Sequence, residues 1–176
     1  MSLTVVFWMY VILFAIIGGM RGWAKEIMVS CSVILALTFI TLLDHYVPFV
    51  RDILQKDSKA LYFLLRTIIL VLLVFFGYQT PNIQRISAKM TREKLEHIIM
   101  GAVIGAINGY MIAGTIWFYM YQADYPFHLI SAPDQTSAVG KAAAALLQYM
   151  PPRWLGIPGI YFAVVIAFIF VIVVFI

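Results

Sequence analysis

Charge and cysteine are what this chain of 176 residues has least of. Its eight Asp and Glu and twelve Lys and Arg make up only 11% of the sequence, against about 25% in soluble domains. That scarcity, with 64% hydrophobic residues and a mean hydropathy of +0.97, excludes a soluble globular protein. The lone cysteine, Cys31, excludes an intramolecular disulfide, a paired-cysteine zinc site and a thiol redox couple. There is no GxSxG elbow, HExxH helix or P-loop, so the chain is expected not to be an enzyme, with no catalytic residue, metal site or cofactor of its own. The net charge of +4 does not indicate nucleic acid, because the basic residues are scattered between apolar blocks and form no stripe. They read as membrane-flanking charge, and the lipid bilayer is the first partner.

What the chain does have is long apolar runs. At about 20 residues per span, they predict an all-α, polytopic membrane protein. The spans are expected at residues 4–20, 27–47, 62–80 and 98–121, with a fifth at 160–176 after which the natural chain is expected to continue. The first has no Lys or Arg before it and a poor cleavage site after it, so it reads as an uncleaved span and not a signal peptide. Between the fourth and fifth, prolines bracket an amphipathic helix at about 136–150. Its Val139, Ala143, Leu146, Leu147 and Met150 share one face, fit to lie on the membrane or to pack across the bundle. The loop with Arg85, Lys89, Arg92 and Lys94 is the densest in basic charge, which favours a cytoplasmic position for it and an outside N-terminus.

Several residues within these spans carry or could carry polar roles. Arg66 stands inside the third span, where a charge costs a few kcal/mol. It is expected to snorkel to the headgroups, the alternative being a buried partner such as Glu26 or Asp44. Asp44 and His45 point about 100° apart on a helix and have no third ligand nearby, so they read as an interfacial polar cap and not a metal site. His97 and His128 have no sequence-local partners. Asn108, Thr67 and Thr115 are the few groups a transport pathway could use. Arg21 and Glu26 flank the first hairpin and either clasp across it or stand as unrelated interfacial charges. Gly101, Gly105 and Gly109 lie on one helical face, where a neighbouring backbone can approach closely.

The run Gly18-x-x-Arg21-Gly22-x-x-x-Glu26 resembles the G-x-x-R-G-x-x-x-E hairpin of the colicin V production protein (CvpA) family, small bacterial inner-membrane proteins with four spans. Gly101-x-x-x-Gly105-x-x-x-Gly109 is similar to the family's glycine motif at the start of its fourth span. The segment 137–154, closed by Pro151-Pro152, resembles its next helix, so the likeness covers about residues 1–155. Family charges are missing at two places: an Asp-Arg pair is His97-Ile98 here, and an Arg is Asn108. The fifth span lies outside the family pattern. The resemblance implies a multi-pass protein of the bacterial inner membrane with a role in export or envelope integrity. Relatives carrying a protease domain place it outside, which agrees with an outside N-terminus.

The expectation is therefore a non-enzymatic scaffold or assembly component. Its glycine face would dock another helix, in a homo-oligomer or a larger complex. An accessory subunit of a photosynthetic or respiratory complex is the competing class, given 13 Phe, 10 Tyr and 4 Trp that could hold lipid, pigment or a neighbouring subunit. A small transporter or channel is the third.

Overall fold

In the computed structural model, which describes residues 2–50, 58–79, 94–127, 130, 132–134 and 136–175, the chain is a helical bundle. The helices are α1 (Leu3–Arg21), α2 (Trp23–Tyr46), α3 (Lys59–Tyr78), α4 (Lys94–Gln122), α5 (Ala138–Leu147), α6 (Pro151–Trp154) and α7 (Gly159–Phe175). Among the described residues there is no strand. The first four helices are long and apolar enough to cross a membrane. The fifth expected span, α7, is apolar along its length but 17 residues long, short of the usual figure of about 20. The basic loop at 80–93, the linker at 51–57 and His128 lie outside the described residues, so the charge argument for orientation has no structural counterpart.

α1 begins where the Ser2 hydroxyl accepts from the Val5 amide at 3.4 Å. It ends at Gly22, whose φ of +88° belongs to the left-handed half of the map that glycine enters freely. The chain reverses at that single residue and α2 starts at Trp23, four positions earlier than the hydropathy predicts. A side chain at Gly22 is excluded twice over. Its Cβ would also lie within 2.6 Å of Cε1 in the His97 ring.

Helices gain nothing from leaving lipid for one another, so their association rests on close packing and internal polar bonds. α1 and α4 meet through glycine. A Cβ at Gly18 would lie 2.7 Å from the Gly105 Cα, one at Gly105 would lie 2.9 Å from the Gly18 Cα, and one at Gly109 would lie 3.1 Å from the Val11 Cα. This corrects the expectation that the glycine face awaits another protein's helix: the chain's own α1 already covers it.

α2 occupies the centre, packed by α3, α4 and α7. Its Val29, Val33, Leu37 and Ile40, with Leu70 of α3, form the dry middle of the bundle. The outer faces of α1, α3 and α7 present Ile12, Ile16, Phe76 and Ile166 outward, as lipid contact requires.

The amphipathic helix is shorter than the predicted 136–150. Ser137 caps it by accepting from the Gly140 amide at 3.0 Å. Gly140, Ala143 and Leu147 are buried, so this helix packs on the bundle. Met150 and Pro151 then fill the space at Gly114 of α4, where a Cβ would lie 2.7 Å from the Met150 Sδ.

Candidate functional site: two polar nodes on one central helix

Each end of α2 contributes one carboxylate to the bundle interior. At its first turn stands Glu26, fully buried. Arg21 donates from Nη1 to Glu26 Oε1 at 2.8 Å and from Nη2 to the Tyr78 carbonyl at 3.0 Å. The guanidinium also lies over the Tyr78 ring, 4.3 Å from its centroid. Asn108 donates from Nδ2 to the other carboxylate oxygen and to the Glu26 carbonyl, each at 2.9 Å. Ser30, one turn along α2, donates to Asn108 Oδ1 at 2.7 Å. Four helices thus meet at one carboxylate, whose two oxygens are both bonded, the condition for keeping such a group inside a bundle. The clasp between Arg21 and Glu26 is formed, and the reading of them as unrelated charges is excluded.

Near the far end of α2, Asp44 accepts from Arg66 of α3, with Nε to Oδ1 at 3.3 Å and Nη2 to Oδ2. Arg66 further donates to Gln122 Oε1 at 2.6 Å and to the Tyr62 hydroxyl. Its guanidinium lies 3.8 Å from the Tyr62 ring centroid and 4.7 Å from that of Tyr119. Arg66 therefore does not snorkel. It belongs to the stripe Tyr62, Arg66, Leu70 and Val74, at four-residue spacing, which is the buried face of α3. A stem on that face points into the bundle and needs a partner there. Asp44 is that partner, so it is more than an interfacial cap.

A cavity of about 310 Å³ opens against this second node. Asp44, His45, Arg66, Tyr119 and Gln122 line it from one side, and the turn joining α6 to α7, with Gly156 and Ile157, lines it from the other.

No family model, curated protein or solved structure matches this chain.

The expected site residues are all placed. Gly18, Gly101, Gly105 and Gly109 form the α1–α4 contact, and Gly22 makes the turn that brings Arg21 to Glu26. Asn108 joins this first node, and its amide hydrogens are spent on Glu26. Thr115 is buried and Thr67 half-buried; the buried hydroxyls of both have no hydrogen-bond partner and belong to neither node. Among the described residues, no three His, Cys, Asp or Glu gather as a metal site would need.

Sequence reasoning missed Ser30, Tyr62, Tyr78 and Gln122. Two had a local signal: Ser30 follows Glu26 by four positions and Tyr62 precedes Arg66 by four, the spacing of neighbours on a helix face. Tyr78 and Gln122 come from distant parts of the chain and had none.

Proposed function

We propose that the protein is a non-enzymatic membrane scaffold with an envelope- or export-linked role in the bacterial inner membrane, its N-terminus outside, as the CvpA-like hairpin implies. The observation that carries this reading is the Glu26 node. Arg21, Glu26 and Asn108 join α1, α2 and α4 through one carboxylate, and Arg21 also donates to the Tyr78 carbonyl of α3. A buried carboxylate with both oxygens bonded within the fold is suited to setting geometry. Asn108 stands where the resemblance puts an arginine, and it meets Glu26 with a neutral donor.

Native mass spectrometry after gentle extraction from the source membrane tests the proposal. A defined assembly with protein partners and no chromophore is expected. A monomer free of partners overturns the scaffold role.

A second reading, accessory subunit of a photosynthetic or respiratory complex, draws on one observation. Tyr46, Phe49, Tyr149, Trp154 and Phe162 are all exposed, five aromatic side chains able to meet lipid, pigment or a neighbouring subunit. Pigment or haem in the same native particle would select this reading.

A further inference from the structure

The cavity beside Arg66 combines features that the structural role of the Asp44–Arg66 pair does not use. Its volume, about 310 Å³, lies at the lower end of the range for small-ligand pockets. Charged and polar groups from three helices converge on it: Asp44 and His45 of α2, Arg66 of α3 and Gln122 of α4.

Hydrogen-bonding capacity remains at both poles of the ion pair. A carboxylate offers about four lone-pair sites, and on Asp44 Arg66 takes two and the Tyr62 hydroxyl a third. A guanidinium carries five N–H groups, and the bonds to Asp44, Gln122 and Tyr62 take four. Gln122 accepts through Oε1 and so keeps its amide hydrogens for another acceptor. His45 adds an imidazole. One pole thus accepts and the other donates.

The charge balance narrows the ligand further. Arg66 and Asp44 sum to zero, so a singly charged guest would bring uncompensated charge beside a pair whose side chains are only 9% and 23% exposed. A guest with a cationic donor and an anionic acceptor a few bonds apart brings none. Beside the cavity mouth, Ile157 and the neighbouring Tyr46 are about half or more exposed, giving an apolar and aromatic rim of the kind found at membrane interfaces.

We infer that this cavity binds a dipolar headgroup made of a primary ammonium and a phosphate ester, with the ammonium at Asp44 and the phosphate oxygens at Gln122, Arg66 and His45. Two net-neutral sources share that chemistry, the lipid phosphatidylethanolamine and its soluble diester glycerophosphoethanolamine.

The experiment uses the full chain, delipidated in detergent and reloaded with phosphatidylethanolamine, phosphatidylcholine, phosphatidylglycerol or soluble glycerophosphoethanolamine, with retention read by native mass spectrometry. Phosphatidylcholine lacks N–H donors and phosphatidylglycerol lacks the cation. The wild type is expected to hold phosphatidylethanolamine at least about tenfold better than either. Retention of the lipid alone assigns the site to the bilayer, and retention of glycerophosphoethanolamine assigns it to a soluble zwitterion. Equal retention of the three lipids, with no binding of glycerophosphoethanolamine, overturns the inference.

Gly156→Leu fills the cavity at a position where an added Cβ meets nothing closer than 3.8 Å. It is expected to cut retention at least about tenfold with unchanged thermal melting. Should that variant melt early, His45→Ala removes a donor at the cavity wall without adding bulk, and the same loss is expected. Wild-type retention in whichever variant melts normally overturns the inference.

Discussion

Asn108 of α4 donates its amide hydrogens to the side chain and to the backbone carbonyl of one residue, Glu26 of α2, at 2.9 Å each. A glutamate in a first helical turn is ordinarily a surface group that favours the helix dipole. Here it is the fully buried hub of the bundle, and Asn108 keeps its second carboxylate oxygen from standing unbonded.

Asn108→Leu leaves Glu26 Oε2 without a partner, while Ser30 keeps only its bond to the Glu26 carbonyl. An unsatisfied buried polar group costs about 1–3 kcal/mol, more when charged, so the variant should insert normally but unfold at lower denaturant in detergent or bicelles. Unchanged unfolding would show that the node does not hold the helices.

Removing one partner of a buried ion pair costs about 3–5 kcal/mol, whereas replacing both can be close to neutral. Arg21→Met and Glu26→Leu should each destabilise strongly and the double variant much less. A double-mutant cycle checks this. Additive losses would mean that the two side chains do not couple.

At Gly105 even alanine is too large, because its Cβ would lie 2.9 Å from the Gly18 Cα and closer still to the Phe14 carbonyl oxygen. Gly105→Ala should loosen α1 from α4 at a cost of about 1–3 kcal/mol, and Gly105→Leu should separate them while leaving insertion intact. The measurement is crosslinking between cysteines placed on α1 and α4 in a Cys31→Ser background. Because the contact is internal, the loss should appear in a monomer as well as in any assembly.

Asp134, exposed ahead of α5, accepts from the backbone amide of Thr136 at 2.9 Å and from its hydroxyl at 2.7 Å. Those bonds hold its carboxyl below the usual carboxylate range. A pKa lower in the folded state gives stability that is present above the ordinary value of 3.8 and is lost as pH falls through the lowered one. The protection factor at Thr136, its exchange rate relative to the intrinsic rate at the same pH, should therefore be held at neutral pH and lost only in that acidic window. Asp134→Ala should lack that protection at every pH, and equal protection in both proteins would refute the assignment.

The nodes differ in how far they could be read in advance. The Arg21–Glu26 clasp spans five positions with a glycine between, so the chain's own reach confines the pair and the motif was visible. Arg66 and Asp44 are twenty-two positions apart on different helices, and nothing local says which face of α3 turns inward. The usual rule for an arginine near a span's end, that its head reaches water, gave the wrong expectation because it assumes a lipid-facing stem. The glycine ladder was read correctly as a surface for close approach, but its partner was not, since a helix face carries no label for the helix that covers it.

The sequence by itself determined the class of this protein. Its apolar runs are too long and its charges too few for any fold but membrane-spanning helices, because bilayer thickness and backbone hydrogen bonding leave no alternative. It also determined the tight first hairpin, since Gly22 can make the reversal that few other residues tolerate. Only the tertiary structure decided that α1 closes over the glycine face, that Arg66 pairs with Asp44, and that a cavity forms beneath the turn into α7. Each of these joins residues from different helices, and lipid offers no strong preference among apolar faces. The choice falls to close backbone contact and to the pairing of a few buried charges, and both exist only once the helices are together.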